Sequence, residues 1–192
     1  DGVWIGANAG KDGAGGGQSV IVGHYAGRYI VGSQVTLVGR NAGYYATGSY
    51  NTFIGADAGK GGTTSAPYSS GPNNTFIGYQ SGMGFTTAED NTCVGMQAGR
   101  ALTSGHSNTL LGNAAGRYMT TTSNTVLIGL LAGDAINSTN ADGTVAIGRS
   151  AGAAITSGRY NVAIGYQALD AEDDGDGNTA VGYQALTAQT GT

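Results

Sequence analysis

Asn74-Thr75-Phe76-Ile77-Gly78-Tyr79-Gln80-Ser81-Gly82 is followed, seventeen residues on, by Asn91-Thr92-Cys93-Val94-Gly95-Met96-Gln97-Ala98-Gly99. The two stretches share one grammar: Asn-Thr, two apolar residues, a glycine, two variable residues, a small residue and a second glycine. Outward in both directions the grammar recurs about the central glycines Gly6, Gly23, Gly39, Gly55, Gly78, Gly95, Gly112, Gly129, Gly148, Gly165 and Gly182. The gaps between them are 17, 16, 16, 23, 17, 17, 17, 19, 17 and 17 residues. Repeats this short and this numerous are the signature of a solenoid. The spacing predicts an all-β chain, a parallel β-roll or β-helix of about eleven 17-residue coils, forming a single repeat domain over 1–192. The gap of 23 predicts a loop insertion at 61–73, which carries Pro67 and Pro72, and the gap of 19 a shorter bulge from Ile136 to Asp142. Insertions in a solenoid often gather on a binding face. The chain opens and stops inside a repeat, which suggests a piece of a longer or processed protein.

Composition agrees. The 192 residues include 37 glycines and 2 prolines, and only 10% are charged. So much glycine disfavours long helices, and its lack of a three-residue period excludes collagen. A hydrophobic share of 40% and a net charge of −4 argue against disorder. No apolar run approaches the roughly 20 residues needed to span a bilayer, so no membrane insertion is expected. The acidic balance speaks against nucleic acid as a partner. A single cysteine, Cys93, excludes an internal disulfide framework.

Alignment on the central glycine turns the sequence into columns. Immediately before it stand only Ile, Val or Leu, and three before it only Val or Thr, residues that favour extended chain. Two before it stand Trp4, Ile21, Leu37, Phe53, Phe76, Cys93, Leu110, Leu127, Ala146, Ala163 and Ala180. Neighbouring strand residues point to opposite faces, yet both faces are apolar in every copy. One coil buries only its inward face, so the other face needs a cover. Reading the column from Trp4 to Ala180 as the outward one makes it the interface of a homotrimer. Its shrinkage from Trp and Phe to three alanines then suggests a rod that tapers. On this reading, replacing Phe53 or Phe76 with Asp abolishes assembly.

The third position after the glycine is always small, from Ala9 through Ser81 to Ala185, and suits a tight corner. The second glycine follows in nine copies and is replaced by Leu169 and Leu186 in the last two. A weaker apolar position seven after the glycine, at Ile30, Leu102, Met119, Ile136 and Ile155, reads as an opposite short strand facing inward. Asn51, Asn74, Asn91, Asn108, Asn124, Asn161 and Asn178 predict a hydrogen-bonded ladder from coil to coil.

At these columns the chain resembles a known group. Asn161-Val-Ala-Ile-Gly-Tyr-Gln-Ala-Leu169 and Asn178-Thr-Ala-Val-Gly-Tyr-Gln-Ala-Leu186 look like repeats of phage tail-fibre and bacterial surface-fibre shafts. The Val-Ala-Ile-Gly core is also similar to head repeats of YadA-like trimeric adhesins, which are parallel β-rolls that trimerise side by side. The spacing of 17 departs from the shorter adhesin-head repeat. The resemblance implies an extracellular setting, on a virion tail fibre or a bacterial surface, and a host-surface glycan or protein as receptor.

Chemical motifs are sparse. Gly55-Ala-Asp-Ala-Gly59-Lys60-Gly61 is one residue short of a phosphate loop and lacks its Ser or Thr. The acidic turn Asp170 to Asp176 offers oxygens to calcium but lacks the closing Glu, with Val181 in that place. His24 and His106 lie in distant repeats and share no ligand partners. No metal, cofactor or catalytic residue is therefore assigned. Lys11, Arg28, Lys60, Arg100 and Arg117 share one position and could meet anionic glycans or serve as surface charge. Tyr25, Tyr79, Tyr166 and Tyr183 could stack on sugars or shield the rod. The sequence thus reads as a non-enzymatic structural and adhesive shaft segment of a homotrimeric fibre, with loop 61–73 as the candidate lateral contact. The alternatives are a monomeric solenoid binder, of ice through the column Thr36, Thr52, Thr75, Thr92 and Thr109 or of glycans, and a bacterial trimeric adhesin head. A β-helical carbohydrate-cleaving enzyme is the weakest reading, since no repeated acid pair is present.

Overall fold

The computed structural model describes residues 2–62, 68–137, 141–171 and 174–187. Eleven three-residue strands follow one another up a parallel β-solenoid. They are β1 Val3–Ile5, β2 Val20–Val22, β3 Thr36–Val38, β4 Thr52–Ile54, β5 Thr75–Ile77, β6 Thr92–Val94, β7 Thr109–Leu111, β8 Val126–Ile128, β9 Val145–Ile147, β10 Val162–Ile164 and β11 Thr179–Val181. They form one sheet in sequence order, each pairing in parallel with the next. Register follows the repeat even across the long gap, where Thr52, Phe53 and Ile54 pair with Thr75, Phe76 and Ile77. The described residues contain no α-helix.

The central glycine ends each strand. Its φ runs from 127° to 139° over the eleven copies, a region that L side chains rarely adopt. A Cβ on Gly39 would also sit 2.5 Å from the carbonyl oxygen of Gly55 in the next coil. Two further left-handed residues complete the corner, as at Asn41 (φ 57°) and Gly43 (φ 60°). Turn bonds close around them, with Ala42 N–H donating to Gly39 and Ala46 N–H to Gly43. The small residue three after the glycine is buried from Ala26 to Ala168, and Ser81 satisfies its hydroxyl on the carbonyls of Cys93 and Ala98.

The core overturns one expectation. The column Ile21, Leu37, Phe53, Phe76, Cys93, Leu110, Leu127, Ala146, Ala163 and Ala180 lies inside the chain, at no more than 1% exposure. Trp4 alone is 44% exposed, because its coil has a neighbour on one side only. Inside, Phe53 stacks on Phe76 with ring centroids 5.0 Å apart, and Phe85 meets both edge-on. The expected taper is therefore a thinning of the interior. The inward position seven after the glycine is as expected, with Ile30, Leu102, Met119, Ile136 and Ile155 fully buried, joined by Ala46 and Phe85. It is not a strand: these residues lie in irregular backbone, apart from an isolated bridge between Ala46 and Ser69, and their amides bond back to the second glycine of the turn.

Size is traded within some coils, though Ala146 shares its coil with Gly152. A Cβ on Gly59 or Gly82 would come within 2.4 to 2.5 Å of the ring of Phe53 or Phe76. Where the inner strand residue is Ala163, the same position holds Leu169, fully buried at φ 54°. The leucine fills the room that a larger strand residue takes elsewhere, and the packing gain offsets the left-handed backbone cost of roughly 1–2 kcal/mol.

The asparagine ladder forms. Asn74 donates its backbone N–H and side-chain amide to Asn51 Oδ1 at 2.8 and 3.2 Å. Asn91 and Asn108 repeat the pattern, and Asn178 N–H donates to Asn161 Oδ1. Asn124 is not a rung: it is exposed at φ 60°, and Thr125 takes the place, bonding Asn108 Oδ1 through its amide and hydroxyl. A second ladder lies two residues earlier, where Ser49 Oγ, Ser123 Oγ and Asp142 Oδ1 accept from the N–H groups of Ser33, His106 and Ser123.

The insertion rejoins the coil through Ser69, which exchanges backbone bonds with Tyr45 and Thr47. Of the expected loop 61–73, residues 63–67 lie outside the described residues, as do 138–140 of the expected bulge. The flanks of that bulge, Ile136 and Ala141, are core.

Two measurements test this packing. Gly82→Leu should destabilise the chain by about 3 kcal/mol in chemical denaturation. Adding Phe76→Ala should recover part of that loss, and simple additivity of the two changes would contradict the size trade. Asn91→Ala should cost about 2–4 kcal/mol by leaving Asn108 amides and the Glu89 and Gly105 carbonyls short of partners. Asn124→Ala should stay within about 0.5 kcal/mol.

Candidate functional surfaces

With the inner column settled, the other two strand positions face outward. Three before the glycine stand Val3, Val20, Thr36, Thr52, Thr75, Thr92, Thr109, Val126, Val145, Val162 and Thr179. One before it stand Ile5, Val22, Val38, Ile54, Ile77, Val94, Leu111, Ile128, Ile147, Ile164 and Val181. In strands β2 to β11 these flank a buried central residue and are themselves half-buried or exposed. None carries a charge. Stacked at about 4.8 Å, eleven strands make a flat, charge-free strip about 50 Å long, its columns about 7 Å apart, one aliphatic and one of valine and threonine. At the first position after the glycine, around the corner, Tyr79, Met96, Leu130, Tyr166 and Tyr183 are exposed, in a column that also holds His24, Arg40, Asn113 and Arg149.

The residues singled out as an interface are thus not on the surface, apart from Trp4. Their burial also explains Cys93, whose thiol is pushed up from its ordinary range by desolvation. One signal in the sequence bears on the assignment. Side chains of alternate residues share a face, and the ladder asparagines stand two before the inner column. Buried asparagines and buried Phe or Ala therefore belong to the same side of the strand.

A second surface lies on the corner side of the second to fourth coils. A cleft of about 410 Å³ is lined by His24, Tyr25, Arg40, Asn41, Tyr44, Tyr45 and Lys60. Behind it Asp57 accepts from Arg40 Nη2 at 3.1 Å and from Asn41 Nδ2 at 2.9 Å. Tyr29, Tyr45 and Tyr68 form a stack, with centroids 4.8 Å apart for Tyr29 and Tyr68 and 5.6 Å for Tyr29 and Tyr45. Tyr44 closes it edge-on at 4.4 Å from Tyr45. Burial in the cluster raises the Tyr29 phenol above its usual range, against the lowering pull of Arg28. Arg28 itself is held charged by its hydrogen bond to Asp12, with further support from Tyr44 Oη at 2.7 Å.

Other singled-out residues scatter. In the basic column Arg28 pairs with Asp12 and Arg117 with Asp134, while Lys60 and Arg100 make no ion pair among the described residues. Tyr25 meets Tyr44 edge-on and Tyr166 stacks on Tyr183 at 5.4 Å. His24 joins the cleft and His106 lies elsewhere, exposed. In the acidic turn, Asp176 Oδ1 accepts from Arg159 N–H as a rung of the second ladder, while residues 172 and 173 lie outside the described set. Among the described residues no group of acidic, His or Cys side chains is placed to hold a metal ion. No described helix is long and apolar enough to cross a membrane.

The class defined by these observations is a parallel β-solenoid with a charge-free outer sheet face. In comparisons with known proteins, no family model, curated protein or solved structure matches the chain.

The inner placement of Cys93 has a direct check. Iodoacetamide should leave the native chain unmodified over hours at pH 8 and label it once denatured. Rapid labelling of the native chain would place the column outside.

Proposed function

We propose that the chain is a shaft segment of a homotrimeric extracellular fibre, of phage tail-fibre or tailspike type, that positions contacts with a host receptor. The observation that carries this reading is the outer sheet face. A strip of about 350 Å², apolar apart from its threonine hydroxyls, falls in the range of the largest patch on a typical monomer, and it is free of charge from end to end. Its cover must match a rise of about 4.8 Å per rung over eleven rungs. A second copy of the same chain has that period built in. Three copies around an axis suit the shape better than two, because the apolar surface is bent. Each chain can lay its strand face on one neighbour and the corner residues Tyr79, Met96, Leu130, Tyr166 and Tyr183 on the other; the same column also holds His24, Arg40, Asn113 and Arg149, so this second contact is not apolar throughout. Three such contacts around one axis, each burying about 350 Å² of strip and a similar area of the neighbour, together bury about 2,000 Å². The tail-fibre assignment itself rests on the resemblance of the repeats. The role is mechanical and assigns no catalytic step.

The interface of this assembly is the pair of columns from Val3 to Thr179 and from Ile5 to Val181, not the column first singled out. Native mass by light scattering should be three times the 19.0 kDa chain. Ile77→Asp with Ile128→Asp should give a folded 19.0 kDa species with unchanged β circular dichroism. Phe76→Asp should instead lose the fold, because it puts a charge inside the coil. A wild-type monomer would sink the fibre reading.

One observation favours a second reading in that event. Thr36, Thr52, Thr75, Thr92 and Thr109 stand in parallel register on the outer face, half-buried and pointing outward. A regular threonine array of this kind would suit ordered water, and thermal hysteresis of the monomer would then be the measurement.

A further inference from the structure

The tyrosine-lined cleft departs from what the solenoid needs. The position six after the glycine holds Asp12, Gly61, Gly84, Ala101 or Ala135 in most coils and is aromatic at Tyr29, Tyr45 and Tyr118. Among the described residues only the third coil gathers a cluster, Tyr29, Tyr44, Tyr45 and Tyr68, of which Tyr44 and Tyr45 line the cleft and Tyr68 comes from the flank of the insertion. The cleft is also the basic spot of an acidic chain. Arg40 and Lys60 line it, no carboxylate does, and Asp57 sits behind the guanidinium rather than in the cleft. The Arg40 side chain is 57% exposed with one nitrogen on Asp57, so most of its donors remain available. Asn41 presents an amide on the same wall, its nitrogen already held by Asp57 and its oxygen available to accept.

These groups fit one ligand chemistry. Tyrosine faces stack on the apolar face of a sugar ring, a phenol and an amide oxygen bond its hydroxyls, and cations hold a carboxylate. We propose that this cleft binds an acidic saccharide, its ring against Tyr44 and Tyr45 and its carboxylate held by Arg40 and Lys60. The site is complete within one chain. Arg40 stands in the same corner column as Tyr79 to Tyr183, but the cleft lies in coils two to four, so binding there needs the corner of those coils to stay open in an assembled shaft.

Calorimetric titration of the whole chain tests the site with three probes: a galacturonate oligosaccharide, the neutral galactose oligosaccharide of equal length, and inorganic sulfate. The acidic oligosaccharide should bind saturably and more tightly than either of the others. Arg40→Gln with Lys60→Gln should weaken it by at least about tenfold. Arg149→Gln, the same coil position in a distant repeat, should leave it unchanged. Bound oligosaccharide should also protect Lys60 of the unmodified chain from acetylation, a readout that does not depend on how well a variant folds. Equal binding of the neutral sugar, binding of sulfate as tight as that of the oligosaccharide, or an undiminished double variant would each overturn the proposal. The mass of the same samples reports assembly separately, so failure here and failure of the fibre reading are distinguishable.

Discussion

In ten consecutive corners, the place where a side chain on the central glycine would stand is occupied by the carbonyl of the same glycine one coil on, 2.2 to 2.6 Å away. The backbone of one coil lies directly on the backbone of the next, with no layer of side chains between them at that corner. Everything else follows from that contact. It holds the strands in register through gaps of 16, 17, 19 and 23 residues alike, so extra residues must leave the coil elsewhere. It also lets the ladder asparagines reach one another, since Asn91 Oδ1 is 2.9 Å from the amide nitrogen of Asn108. A buried amide that meets its own kind above and below is satisfied without water, which is why polar residues can line part of so narrow a core.

The inner column and the outer columns obey different rules of variation. Inside, Phe53, Phe76 and Ala163 differ greatly in size, and each is matched within its coil by Gly59, Gly82 or Leu169. Outside, the residues are nearly uniform, Val or Thr in one column and Ile, Val or Leu in the other. The inner face is fitted coil by coil, whereas the outer residues, which pack against nothing within the chain above the sheet, need no such compensation.

The solenoid, its period and its insertions were legible in the sequence because the glycine grammar imposes them locally. The orientation of the strand was not read correctly, because both faces are apolar and hydropathy alone does not distinguish them. The information lay in parity with the buried asparagines and in the exchange of Ala163 and Leu169 for a larger residue and glycine. Asn124 was misplaced by one residue, since Asn and Thr125 are adjacent and only the hydrogen bonds show which is the rung. The cleft was out of reach for another reason. Its residues come from three coils, and only the stacking of coils brings His24, Arg40, Tyr45 and Lys60 to one place.

Parallel sheets are ordinarily slow to form, because strands that pair are far apart in the chain and a long crossover must close first. Here every pairing partner is the next strand, at most 23 residues on. The entropy of closing such a loop is nearly the same for each coil, since it grows only with the logarithm of length. The all-β chain therefore has the local wiring of a helical repeat protein, and each finished coil is the template for its successor. Order along the rod is also order in time: a chain that emerges from its N-terminus can lay down β2 on β1, then β3 on β2, without waiting for anything downstream.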